Sequence, residues 1–127
     1  MRTEVYMFAG GGTGGHLYPG LAVAEALTEL RPAARIVFAC SDRAIDRRIL
    51  DPHRYAVVPQ PVRPLPRRPG QVAGFLWAWC RSARQAAAMV RDLRPAAVLG
   101  LGGFAAGPVV RRAAAKGIRT ALLNPDA

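Results

Sequence analysis

Short apolar runs and longer amphipathic stretches alternate along the chain, separated by turns rich in glycine or proline. Val5-Tyr6-Met7-Phe8 runs into Gly10-Gly11-Gly12, the pattern of a buried strand that ends in a sharp turn. Beyond Pro19, the apolar residues Val23, Leu27 and Leu30 recur at i, i+4 and i+7 while Glu25 and Glu29 fall on other faces, which predicts an amphipathic helix. Residues 35–39 repeat the strand pattern, residues 43–50 predict one short basic helix, and residues 55–58 a third strand. Five prolines and three arginines between Pro59 and Gly70 predict an extended loop. Residues 71–93 predict the longest helix, with Val72, Leu76, Trp79, Ala83, Ala86 and Val90 as its core stripe. A fourth strand at 96–99, a second glycine-rich turn, a helix over 108–116 and a fifth strand at 118–123 complete the chain.

Strands that are apolar throughout and alternate with helices predict a parallel sheet covered on both faces. The right-handed crossover rule then gives an α/β fold: a doubly wound, Rossmann-like sheet of about five strands. Ligands of such sheets bind outside the carboxyl ends of the strands, near the point where the strand order reverses. Both glycine-rich turns follow strands, the first and the fourth. In the order 3-2-1-4-5 these two strands are neighbours, so both turns are expected to line one crevice.

Composition narrows the picture. With 127 residues the chain fits one domain, and 51% apolar residues against 7% aromatic ones predict a core of Ala, Val and Leu. Eighteen basic residues, all arginine except Lys116, face 8 acidic ones, a net charge of +10 that favours an anionic partner. Cys40 and Cys80 form neither a metal pattern nor a disulfide framework, which fits a reduced, cytosolic protein without a bound metal. The opening MRTEVYMF lacks the apolar core of a signal peptide, and glycines and Pro108 break the longest apolar run, 96–110, so no membrane span is expected.

The first turn, Gly10 to His16, has five glycines in six positions before the histidine. Glycine lets backbone N–H groups approach a phosphate, and a helix start behind them adds partial positive charge. Gly10, Gly12 and Gly15 satisfy G-x-G-x-x-G, but so glycine-rich a stretch satisfies many templates, and Asp42 lies too far on to bind a ribose. A P-loop is excluded, because His16 stands where a lysine is needed. Thr13 offers a hydroxyl either to a phosphate or to its own loop. His16 is either a capping residue or, in the crevice, a general base or diphosphate contact. His53 reads as an exposed turn residue. The second turn, Gly100 to Pro108, presents free amides at another helix start, with Pro108 suited to a first helical turn.

The run Ala9-Gly10-Gly11-Gly12-Thr13-Gly14-Gly15-His16-Leu17-Tyr18-Pro19-Gly20-Leu21-Ala22-Val23-Ala24 resembles the opening signature of the MurG family. These are the bacterial transferases that move N-acetylglucosamine from its UDP donor to lipid I. The second turn resembles the same family's second glycine-rich loop. The resemblance implies a two-domain GT-B fold in which residues 1–127 are the N-terminal, acceptor-binding domain and the donor-binding domain is absent. It implies that Thr13, Gly14 and Gly15 lie near the donor's phosphates or sugar, that Gly102, Gly103, Phe104 and Gly107 help hold the acceptor diphosphate, and that His16 matches a histidine proposed for catalysis. Asp126 stands where the family has a donor-contacting Asn, Phe104 replaces a common Tyr, and Asp46 a usual Glu.

The implied activity is an inverting transfer of N-acetylglucosamine from UDP-N-acetylglucosamine to the 4-hydroxyl of the muramoyl sugar of undecaprenyl-linked lipid I, without cofactor or metal. The alternative is a stand-alone acceptor-binding subunit that recruits a separate catalytic half. An oxidoreductase lacks its ribose-binding acid. A nucleic-acid partner is not expected, since the seven arginines from Arg43 to Arg68 come with no aromatic ladder. The expected surroundings are the cytoplasmic face of the bacterial inner membrane, held peripherally through an anionic lipid surface. Trp77, with Arg81 and Arg84 at i+4 and i+7, is placed off the core stripe as the membrane contact, or alternatively packs under the proline-rich loop with an arginine on its ring.

Overall fold

A computed structural model describes residues 3–13, 15–53 and 55–123. Five strands, β1 (Val5–Gly10), β2 (Arg35–Ser41), β3 (Ala56–Gln60), β4 (Ala97–Gly102) and β5 (Arg119–Leu122), form one sheet in the order β3-β2-β1-β4-β5, with every pairing parallel. Helices α1 (Leu17–Leu30), α2 (Ala44–Leu50), α3 (Val72–Leu93) and α4 (Gly107–Ala115) connect them. This is the doubly wound order expected from the alternation of elements, and it brings the ends of β1 and β4 side by side.

Each face of the sheet has its own apolar layer. Phe8, Ile36, Phe38 and Cys40 point towards Leu17, Leu21 and Ala24 of α1 and Leu50 of α2. Met7, Ala9, Val37 and Val98 point towards Ala86, Met89 and Val90 of α3 and Val109 of α4. Alternate residues of one strand thus serve opposite faces, as the pleat requires. Between Ala9 and Gly10 the register of β1 against β4 shifts by one residue. Leu101 falls in that shift and is fully buried, and a Cβ on Gly20 would come within 2.5 Å of its side chain. Glycine at position 20 therefore lets the start of α1 settle onto β4.

Several boundaries and faces differ from the sequence reading. Helix α1 begins at Leu17, because Pro19 falls in the first turn, where its missing N–H leaves no bond unmade. Pro59 and Gln60 belong to β3, an edge strand, where proline is tolerated. The buried face of α1 is Leu17, Gly20, Leu21 and Ala24, while Val23 is exposed and Leu30 is 80% exposed. Val23, with Leu27, lines a shallow cleft against Leu99 of β4 and Thr120 and Ala121 of β5.

Helix α3 keeps Ala86 and Val90 of its expected stripe in the core and departs from that stripe in its first turns. Its core face is Ala78, Ser82, Ala86, Met89 and Val90, and the expected stripe members Val72 and Leu76 face solvent. The cause is length. Twenty-two helical residues span about 33 Å, against roughly 20 Å for a six-residue strand such as β4. The short Arg94–Ala96 connection holds the carboxyl end of α3 at the start of β4, so the excess projects beyond the carboxyl edge of the sheet. There the helix has no sheet to cover.

Cys40 is fully buried in β2, and burial, with the charge of Asp46 adding to it, pushes its thiol up to about 12. Cys80 is exposed on α3. At pH 8 an aromatic disulfide reagent is expected to modify one thiol per folded chain rapidly and the second only after unfolding. Because the folded chain keeps the Cys40 proton that the unfolded chain loses, this group's stabilisation is complete below the ordinary thiol range and declines from there towards pH 12. Two fast-reacting thiols in the folded protein would contradict this burial.

Candidate functional site

The first glycine turn leaves β1 with Gly11 and Gly12 at φ +130° and +102°, conformations that side-chain-bearing residues rarely adopt. Asp46, in the first turn of α2, is fully buried against this turn. Its carboxylate accepts hydrogen bonds from the Gly12 N–H (3.1 and 3.0 Å), the Ser41 N–H (2.9 Å) and the Ser41 hydroxyl (2.5 Å). A Cβ on Gly11 would collide with the same carboxylate. One buried acid thus ties the first turn to the end of β2.

The second turn is tied down from β3. Buried Gln60 donates its Nε2 hydrogens to the Ala105 carbonyl at 2.9 Å and the Cys40 carbonyl at 3.4 Å. The two turns then meet. A Cβ on Gly103 would strike the Gly11 carbonyl oxygen, and one on Gly12 would come within 2.5 Å of the Phe104 ring. Arg43 bridges them from outside, its Nη1 donating to the Gly12 carbonyl at 3.2 Å and its guanidinium lying 5.3 Å from the centre of the Phe104 ring.

His16 lies at this junction. It precedes α1, half-buried, and its side chain makes no capping hydrogen bond. The imidazole packs instead on the second turn: a Cβ on Gly102 would sit 3.0 Å from Nδ1, and one on Gly103 3.2 Å from Cδ2. Chemically, the crevice offers backbone amides and two helix starts for anionic oxygen, guanidinium groups at its rim, and one imidazole within reach of both turns.

The proline-rich segment and the overhang of α3 form a ledge beside the second turn. Trp77 is 60% exposed and carries the Arg81 guanidinium 4.7 Å from its ring centre, so the arginine stack and an exposed indole occur together. Arg84 is exposed on the same helix, as are Val72 and Leu76.

Residues 6–122 match the glycosyltransferase family 28 N-terminal domain. The chain belongs to that family. It is 34% identical over 119 residues to the UDP-N-acetylglucosamine–N-acetylmuramyl-(pentapeptide) pyrophosphoryl-undecaprenol N-acetylglucosamine transferase of Porphyromonas gingivalis, a match that covers 92% of this chain and 31% of that protein. The transferase of the same description from Syntrophus aciditrophicus is 36% identical over 121 residues, 94% of this chain and 34% of that one. The chain therefore spans about a third of the length of these relatives. Its fold is similar to that of Acinetobacter baumannii MurG, with a TM-score of 0.75 at 24% identity over 94% of this chain and 33% of that structure.

In this family 28 domain the residues expected from sequence fall into three groups. His16, Gly102, Gly103 and Phe104 meet at the junction of the turns, and Gly107 opens α4 beside them. Thr13 and Gly15 are exposed on the first turn, while Gly14 and Asp126 lie outside the described residues. Trp77, Arg81 and Arg84 stand apart on the ledge. Nothing in the sequence pattern marks Gln60 and Arg43 as positioning residues, and Asp46 stands out there only as a departure from the family's Glu. The available signal was a lone acid inside the basic run of α2, and a lone amide at the end of an apolar strand.

Asp46→Asn keeps the shape of the side chain but turns an amide NH2 towards groups that are themselves donors. The expected loss is about 1–3 kcal/mol for each orphaned donor, read as a lower urea midpoint at unchanged slope. A variant as stable as the parent would show that the carboxylate does not hold the turn.

Proposed function

We propose that this family 28 domain binds the lipid-linked acceptor of an inverting N-acetylglucosaminyltransferase. The donor would be UDP-N-acetylglucosamine, the acceptor the muramoyl 4-hydroxyl of undecaprenyl-diphosphate-linked lipid I, and the product lipid II for peptidoglycan. The supporting observation is the contact of two glycine turns at one sheet edge, with the His16 imidazole packed on the second of them. The relatives' names, which state a transferase of N-acetylglucosamine from its UDP form and an N-acetylmuramyl-(pentapeptide) pyrophosphoryl-undecaprenol, support this choice of donor and acceptor.

In this reading the acceptor oxygen attacks C1 of N-acetylglucosamine as the bond from C1 to the phosphate oxygen breaks, and His16 takes the hydroxyl proton. Charge on the departing UDP phosphate is met by amides around Thr13–Gly15 and by the start of α1. The acceptor diphosphate lies on Gly102, Gly103, Phe104 and Gly107. Residues 1–127 supply the acceptor-binding domain, and a second domain supplies most of the donor site, in keeping with the share of the relatives that the chain spans. The protein works peripherally on the cytoplasmic face of the inner membrane.

The test joins residues 1–127 to the remaining two-thirds of the Porphyromonas gingivalis relative. This chimera is expected to transfer N-acetylglucosamine to lipid I, and the 127-residue chain alone is not. In the chimera, His16→Ala should lower kcat by about 10²–10⁴-fold with a near-normal KM for the donor. A folded chimera without transfer would remove the proposed reaction, and a His16→Ala variant within a few-fold of its parent would remove the proton-transfer role.

For the membrane contact, the chain should co-sediment with vesicles containing anionic lipid, more weakly as salt rises. Trp77→Ala should bind less. Equal binding by that variant at matched stability would leave the arginines of the proline-rich segment as the membrane anchor.

A further inference from the structure

At the edge of the sheet opposite the glycine turns, the carboxyl ends of α3 and α4 flank a cleft of about 410 Å³. Its floor is apolar: Val90 and Pro95 are buried, and Ile118, just before β5, is half-buried. Arg91, Arg94, Arg112 and Lys116 line it, and no acidic residue does. Arg91 pairs only with its sequence neighbour Asp92, at 3.0 Å on the open surface. Among the described residues, Arg94, Arg112 and Lys116 form no salt bridge.

Cations at a helix carboxyl end ordinarily serve the helix itself, by meeting its last carbonyls and its dipole. Here the backbone already meets several of those carbonyls. The Arg94 N–H donates to the Val90 carbonyl, the Lys116 N–H to those of Arg112 and Ala113, and the Gly117 N–H to that of Ala114. The two helix ends together supply about one negative charge, against four cationic side chains. Two of these side chains also burden the fold. Arg94 is held at φ +47°, where a side chain is disfavoured and glycine is at ease. The Arg112 Nε is buried without a hydrogen-bond partner, an orphaned donor. The cleft thus carries more positive charge than the helices use.

A phosphate cluster is a poor match, because concentrated negative charge is best held by helix amino ends, and these helices present carboxyl ends. Carboxylates spread along the rim suit guanidinium forks, which take them in bidentate pairs. The floor between the cations offers a polar ligand nothing and an apolar side chain a dry seat. We propose that this cleft docks an acidic segment of a partner protein, its carboxylates on the rim cations and an apolar side chain on the floor. A partner seated there lies across the sheet from the glycine turns and leaves their crevice open. The proposal goes beyond the transfer reading and does not depend on it.

The test follows fluorescence anisotropy of a short labelled peptide, two leucines flanked by glutamates, on the 127-residue chain, with polyglutamate of the same charge and inorganic tripolyphosphate as competitors. The peptide should bind saturably and about tenfold or more tightly than polyglutamate, through burial of its leucines. Arg94→Gly should keep the urea midpoint or raise it, since glycine suits that backbone, and yet weaken the peptide about tenfold or more. Arg112→Gln should weaken it likewise. Arg48→Gln, which removes the same charge from the exposed face of α2, should leave affinity within about twofold. Binding unaltered by Arg94→Gly and Arg112→Gln would overturn the cleft as the site, and equal losses in Arg48→Gln would reduce it to net charge. Polyglutamate binding as tightly as the peptide would overturn the apolar seat. Tripolyphosphate binding more tightly than the peptide would overturn the partner assignment in favour of a phosphate site. No peptide binding would overturn the proposal outright.

Discussion

The site depends on one buried carboxylate. Asp46 has no cation beside it among the hydrogen-bonded groups; its charge is met by two backbone amides and a hydroxyl, drawn from the end of β2 and from the first glycine turn. A buried acid is stable only when such donors converge on it. One of these donors, the Gly12 N–H, lies in a turn whose backbone most residues cannot adopt. Each side of this contact requires the other. Gln60 supplies the counterpart for the second turn, with a neutral amide in place of a charge. The two glycine turns are thus held by residues from β2, α2 and β3 rather than by their own sequence.

That support explains how bare backbone can be presented to a ligand. A glycine-rich turn left to itself samples many conformations, and ordering it costs more entropy than ordering any other residue type. Here the cost is met by sheet-anchored hydrogen bonds and by the contact of the turns with each other, Gly12 under Phe104 and Gly103 on Gly11. Amides fixed in advance can then stabilise charge without reorganising when it develops. His16 gains its position from the same contact, because its imidazole rests on the second turn while its backbone starts α1.

A mismatch of lengths shapes the other half of the surface. The excess of α3 over the strands it crosses carries its first turns past the sheet, where Phe75 and Trp79 meet the proline-rich segment and Val72, Leu76 and Trp77 meet solvent. Apolar exposure of this extent is uncommon on a surface with no partner. Arginines flank it, at Arg63, Arg67 and Arg81. A surface that is apolar in the middle and cationic around it thus lies next to the two glycine turns.

The order of elements, the parallel sheet and the meeting of the two glycine turns were all determined by the sequence itself, because the apolar runs, the turn residues and the handedness of crossovers are local or nearly local constraints. The signature from Ala9 to Ala24 carried the family. The faces of α1 and α3 were not legible in the same way: periodicity gives the angular spacing of apolar residues but not which of several apolar arcs meets the sheet. On α1 the choice fell to Leu17, Leu21 and Ala24 because Gly20 lets that arc approach Leu101. On α3 it fell to the small residues Ala78, Ser82 and Ala86, which let the helix lie close, while the overhang released Val72 and Leu76. Asp46 and Gln60 were hidden for a different reason. Their hydrogen-bond partners lie up to 45 residues away along the chain, and only the folded sheet brings a buried polar group and its distant donors or acceptors together.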